Sequence, residues 1–239
     1  MELKSKLYDV MIGMAIGEAL GTPYRGLEKG EFVCGGMVAD KSMSYSAGSY
    51  GKITNDAIYI CDILEKANDF LKSYEYFELF DKLQIKSVAS LAPLASTKYV
   101  TNPESWMELN EALMNAFGEF SDSYLYLSII GQILYNNTYE EIENLILGTI
   151  NCSYLADLFE IDIIVETKRD AFRAALWCFI HTNNFKDCLL RAVNLGGRSS
   201  ETAAIVGSIA GGHYGVDAIP ENWIETLKDK EAINDIWHA

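Results

Sequence analysis

The sequence predicts an all-α protein, and three observations carry that prediction. Apolar residues recur at helical spacing along nearly the whole chain. Only four prolines occur in 239 residues, so little of the chain is barred from helix. No two neighbouring segments show the alternation and turn residues of a strand pair. With no linker, repeat or low-complexity tract, the expectation is one compact multi-helix domain over residues 1–239.

The elements follow in order. Leu7, Met11, Met14 and Ala15 mark a first helix that ends at the Gly21–Pro23 turn. A glycine-rich polar loop runs from Gly26 to Lys52, and a second helix starts after Ile53. Shorter helices are predicted from Tyr74 to Leu83 and from Ser105 to Phe117. The run from Ser123 to Asn137 is apolar on most sides and reads as a central helix. Thr138 and Glu141 form a T-x-x-E capping box for the next one. Two helices, 169–182 and 185–196, are joined by Asn183 and Asn184. Pro220 suits the first position of a last helix over 220–230.

Composition narrows the function. The net charge is −15, from 19 basic and 34 acidic residues, and no basic run appears. That argues against nucleic acid and anionic membrane as partners, because both need clustered Lys and Arg. No stretch is long and apolar enough to span a membrane, and the N-terminus has no apolar signal core. The five cysteines are scattered, make no C-x-x-C pair and read as buried thiols, which suits a cytoplasmic protein. His181, His213 and His238 show no metal-ligand spacing and read as packed or surface residues. Tyr45, Tyr50 and Tyr214 are candidates to stack on a ligand base, although the chain has fourteen tyrosines.

Two helices carry glycines spaced four apart: Gly13, Gly17 and Gly21 in the first, and Gly207, Gly211 and Gly215 in a late one. Each glycine inside a helix costs up to about 1 kcal/mol relative to alanine. A stripe of them is expected where another backbone packs close, which would hold the helix ends rigidly in place.

The stretches "GMAIGEALGTPYRG", "GKITNDAIYI" and "AVNLGGRSSETAAIVGSIAGGHYG", with "IPENW" after the last, resemble the ADP-ribosylglycohydrolase family, which includes the dinitrogenase reductase-activating glycohydrolases. "AALWCF" at 174–179 is similar to the family's penultimate helix, and "SVASLAPLA" at 87–95 is a faint match to its central segment. The resemblance implies an all-helical domain with two magnesium ions in a cleft. It also implies a substrate in which ADP-ribose is linked to a protein side chain or small molecule and cleaved by water.

Residue by residue, the family's motifs are G-x-A-x-G-D-A-L-G-x-P-x-E, T-D-D-T and L-G-G-D-T-D-T. Glu18 stands for the Asp of the first motif, and Arg25 for its closing acid. Thr54 and Asp56 are kept in the second, while Asn55 and Ala57 replace an acid and a threonine. In the third, Arg198, Ser199, Ser200 and Glu201 stand where D-T-D-T would be. Magnesium takes near-octahedral oxygen ligands. Of the five acids at the T-D-D, D-x-D-T and post-proline positions, only Asp56 remains, with Glu201 as a newcomer. Arginine cannot give up its proton to make room for a metal.

Three readings follow. In the first, the chain is a catalytically degenerate pseudoenzyme that needs no cofactor. Its cleft of Glu18, Arg25, Thr54, Asn55, Asp56, Arg198, Ser199, Ser200 and Glu201 binds an ADP-ribose-like nucleotide or an ADP-ribosylated partner. Arginine forks and a helix N-terminus suit phosphate. The opposing version is that Arg25 and Arg198 pair with Asp56, Glu18 or Glu201 and plug the site. In the second reading the chain is still a hydrolase, with Glu18, Asp56 and Glu201 as catalytic candidates and one magnesium on Thr54, Asp56 and Glu201. In the third, the acidic exterior meets or inhibits a protein partner.

Overall fold

A computed structural model gives the structure of the protein, and it describes residues 2–39, 45–66, 71, 73–85, 87–96, 103–117, 120–135, 137–151 and 164–235. Helix dominates these residues, as the sequence predicts. The helices are α1 (Glu2–Gly21), α2 (Lys52–Lys66), α3 (Ser73–Leu83), α4 (Pro103–Phe117), α5 (Phe120–Leu134), α6 (Tyr139–Asn151), α7 (Lys168–Ile180), α8 (Phe185–Asn194), α9 (Ser199–Tyr214), α10 (Glu221–Thr226) and α11 (Lys230–Asp235). A 3-10 stretch, Val88–Ser96, carries the apolar "VASLAPLAS" segment through the core.

The centre of the fold is the antiparallel crossing of α1 and α9. A Cβ added to Gly13 would lie 2.1 Å from the Gly207 carbonyl oxygen, and one added to Gly17 would lie 2.0 Å from the Ala203 oxygen. At Gly21 it would meet the Ser200 Cα at 2.5 Å. The stripe is therefore a backbone-to-backbone contact, closer than any side chain permits. Gly211 belongs to it, with its Cβ position 2.4 Å from the Asp9 oxygen. Gly215 does not: it ends α9 as a cap with φ +82°. Every residue of α9 from Ser199 to Gly212 is buried, with α8 and α7 packed on other sides of it.

Local signals place the ends of the elements. The capping box at Thr138 forms: its backbone N–H donates to Glu141 Oε2 at 2.7 Å, and Glu141 N–H donates back to its Oγ1 at 3.3 Å. Asn184 caps α8, accepting from Asp187 N–H at 2.8 Å. Thr167 and Asp170 make a second capping box at α7. Two expectations need correction. The second helix begins at Lys52, before Ile53, because Glu18 reaches across and satisfies its first N–H groups. The helix expected over 220–230 is two short ones: Pro220 is the cap before α10, and the chain extends at Leu227 and takes a positive φ at Asp229.

Cys34, Cys61, Cys178 and Cys188 are buried free thiols, while Cys152 and His238 lie outside the described residues. Burial pushes the thiols up, Cys188 to about 12, which disfavours the thiolate at neutral pH. Among the described residues no helix is long and apolar enough to cross a membrane.

Candidate functional site

Where α1 ends, α9 begins. Ser199 Oγ donates to the Gly21 carbonyl at 2.8 Å, which ties the two ends together. The loops beyond them are clipped in the same way. Gly26 N–H donates to the Gly197 carbonyl at 2.8 Å, and Gly197 N–H donates to the Leu27 carbonyl at 2.7 Å. Gly197 needs its φ of +59°, and a Cβ there would lie 2.0 Å from the Val165 oxygen. This clip brings the Arg25 loop against the start of α9, and a cavity of about 1110 Å³ opens beside it.

Of the residues singled out by sequence, Glu18, Arg25, Arg198, Ser200 and Glu201 line this cavity. Thr54, Asp56 and Ser199 are buried but do not line it, and Asn55 is exposed and does not line it either. Tyr45 lines the cavity; Tyr50 instead donates to the Asp229 carbonyl at 3.0 Å. Tyr214 lines a different cavity of about 850 Å³, together with His181 and His213. There His213 packs against Tyr139 and Phe179 and His181 stacks on Trp177, in packed roles.

Charge on the cavity wall balances by count: Glu18, Glu28, Glu166 and Glu201 face Arg25, Lys29, Lys52 and Arg198. What decides its chemistry is which of these groups are already engaged. Glu18 is buried and accepts from Ile53 N–H at 3.1 Å, Thr54 N–H at 2.9 Å and Thr54 Oγ1 at 2.8 Å. It is the N-terminal cap of α2, delivered from another helix, and its charge suits that helix end. Arg198 Nε donates to Glu201 Oε2 in a close ion pair. Burial pushes the Glu201 carboxyl above its ordinary value, while Arg198, Lys168 and Ser87 pull it back. Arg25 Nε donates to Ser200 Oγ at 3.1 Å. That bond uses Nε and not the terminal N–H groups of this exposed residue.

Lys52 is the residue that the sequence reading missed. Its Nζ lies 2.8 and 2.9 Å from the two oxygens of Asp56 and 2.6 Å from the Leu83 carbonyl. Asp56 has a side chain only 7% exposed. Burial raises its carboxyl above the ordinary value, and Lys52 opposes that rise. The signal was an i,i+4 pair at a helix start.

Thr54, Asp56 and Glu201 have the oxygens a magnesium ion takes. They do not fit one as they stand. Thr54 Oγ1 donates to Glu18, the Lys52 ammonium sits on both Asp56 oxygens, and Arg198 sits on Glu201 Oε2, so a metal ion would have to displace a cation from each carboxylate. Among the described residues no three acidic, His or Cys side chains gather in a metal-holding group.

Fold and site thus define an all-helical protein whose cleft lies at the paired ends of α1 and α9. The ADP-ribosylglycohydrolase family model matches residues 167–239. Over 67 residues the chain is 40% identical to the ADP-ribosylarginine hydrolase Tri1 of Serratia proteamaculans, covering 28% of this chain and 18% of that protein. It is 41% identical over 61 residues to the ADP-ribosyl-[dinitrogen reductase] glycohydrolase of Rhodospirillum rubrum, covering 26% of this chain and 21% of that protein. These alignments span about a fifth of the curated relatives' length. In fold, the chain is similar to a solved ADP-ribosylglycohydrolase-related protein complex, with a TM-score of 0.73 at 18% identity, over 98% of this chain and 96% of that one. The chain is thus similar in sequence to the ADP-ribosylglycohydrolases over residues 167–239, and it shares the fold of the solved complex over 98% of its length.

Proposed function

We propose that this protein binds an ADP-ribose-like, phosphate-bearing nucleotide, free or attached to a protein, without the family's two-metal hydrolysis. The observation that carries the reading is Arg25. Its guanidinium donates to Ser200 and lines a cavity large enough for a nucleotide, next to the first turn of α9. Of the four cavity-wall carboxylates, Glu18 and Glu201 are committed to α2 and to Arg198, which offsets their charge beside a phosphate. Catalysis by family analogy needs oxygen ligands for metal, and those present already hold other partners.

Calorimetry with ADP-ribose tests this reading. Binding in EDTA that weakens at least about tenfold in Arg25→Ala is the expected result, since a charge-assisted pair to phosphate is worth roughly 1.5–3 kcal/mol. No binding to the wild-type protein would sink it.

A second reading has one observation in its favour. Glu201 is a buried carboxyl with a raised proton affinity on the cavity wall, as a general acid requires. Two of the relatives carry hydrolase names. Under that reading Glu201→Gln abolishes release of ADP-ribose from a modified arginine substrate, and millimolar magnesium is needed.

A further inference from the structure

The Lys52 ammonium is surrounded in an unusual way. An ammonium has three N–H donors. Here three oxygens converge on it, two from one buried carboxylate and one from the carbonyl of Leu83 at the C-terminus of α3. A chelating carboxylate with a backbone carbonyl is also a set of hard oxygen ligands, of the kind that divalent cations take. We propose that Lys52 is a built-in cation: its ammonium occupies the oxygen cluster of Asp56 and Leu83 and closes it to divalent metal.

The physical argument is one of exclusion by charge and space. A divalent ion entering here must expel an ammonium whose three donors these oxygens already satisfy. The ammonium is tethered through its own backbone one helical turn from Asp56, so it returns at no cost in concentration. Asp56 needs some cation, because burying a carboxylate with no partner is costly. The Arg198–Glu201 pair repeats the arrangement at the head of α9. The two buried acids at the helix heads therefore each carry a basic side chain from the same helix end. This inference rests on reading the cleft as metal-independent, but its test needs no nucleotide.

The test is Mn²⁺ binding followed by loss of the free-ion electron paramagnetic resonance signal. Wild-type protein is compared with Lys52→Met, Lys52→Gln, Lys52→Arg, Asp56→Asn and the double variant Lys52→Met/Asp56→Asn. Circular dichroism reports the fold of each. The expected result is a new site in Lys52→Met and Lys52→Gln, at least about tenfold tighter than any in the wild type. It is absent from Lys52→Arg and lost in the double variant. The proposal is overturned if wild-type protein binds Mn²⁺ at a site that Asp56→Asn removes. It is equally overturned if a folded Lys52→Met or Lys52→Gln gains no site. The wild-type arm holds even where a variant fails to fold. Failure of ADP-ribose to bind would sink the proposed function and leave this result standing.

Discussion

Ser199 Oγ donates a 2.8 Å hydrogen bond to the Gly21 carbonyl, so the last residue of α1 and the first of α9 are a single joint. Five of the residues that line the cleft are placed around that joint. Glu18 leaves α1 one turn before it, Arg25 follows it by one loop, and Arg198, Ser200 and Glu201 surround it on α9. The glycine stripe supplies the closeness, and the joint sets the register.

The stripe makes opposite predictions for two glycines. Gly17→Ala places a methyl group 2.0 Å from the Ala203 carbonyl oxygen, where only backbone can yield. It should cost about 3 kcal/mol and lower the urea midpoint accordingly. Gly148, in α6, has nothing within 4 Å of its Cβ position. Gly148→Ala should stabilise by up to about 1 kcal/mol.

Removing one member of the Arg198–Glu201 pair should hurt more than removing the charge of both. The Glu201 side chain is 6% exposed, so Arg198→Ala leaves a buried carboxylate without its close ion-pair partner, with Ser87 and Lys168 still acting on it. A loss of about 2 kcal/mol is expected from denaturant unfolding. The double variant Arg198→Ala/Glu201→Gln should recover most of it. Additive losses would show that the pair contributes nothing.

Much of this site was legible in the sequence, and the gaps have physical causes. Glycines at four-residue spacing announced a close helix contact, because glycine is destabilising inside a helix and a stripe of it on one face is offset by close backbone approach. Glu18, Arg25, Arg198, Ser200 and Glu201 do share a cavity, since they sit at the ends of the helices that the stripe joins. Asp56 and Thr54 follow a different logic. They belong to a helix start whose N–H groups are capped from α1, and Lys52 draws Asp56 into its own pair. Starting α2 after Ile53 hid that pairing, because Lys52 and Asp56 are one turn apart only if Lys52 is helical. The break at Leu227 was illegible for another reason. "WIETLKDK" contains no Gly or Pro to signal a break, yet Lys228 N–H donates to the Gly48 carbonyl at 3.0 Å, and that tertiary bond outweighs local propensity.

Acid should stabilise this protein through Asp9. Burial raises its carboxyl above the ordinary value, with Asp217 adding to the rise and Val216 N–H and Lys6 opposing it. A raised carboxyl binds its proton more tightly in the folded state than in the unfolded one. Its contribution is therefore fully present below the ordinary value and is lost as pH rises through the raised one. The urea midpoint should climb as pH falls from neutral toward that range, and Asp9→Asn should flatten that part of the profile. An unchanged profile in the variant would remove Asp9 from the account.

Glu18 makes a sharper stability prediction. It accepts from two backbone N–H groups and one hydroxyl at the start of α2. Glu18→Ala strips these buried donors of their acceptor and should cost about 2–3 kcal/mol, seen as a lower thermal midpoint. A change below about 0.5 kcal/mol would mean that water or another side chain replaces the cap.

The most direct test of the central claim is a crystal soaked with ADP-ribose and Mn²⁺, with anomalous scattering collected at the manganese edge. Phosphate density against Arg25 and no anomalous peak at Asp56 or Glu201 are expected, with Lys52 and Arg198 still on their carboxylates. A manganese peak shared by Asp56 and Glu201, with Lys52 swung away, would contradict it.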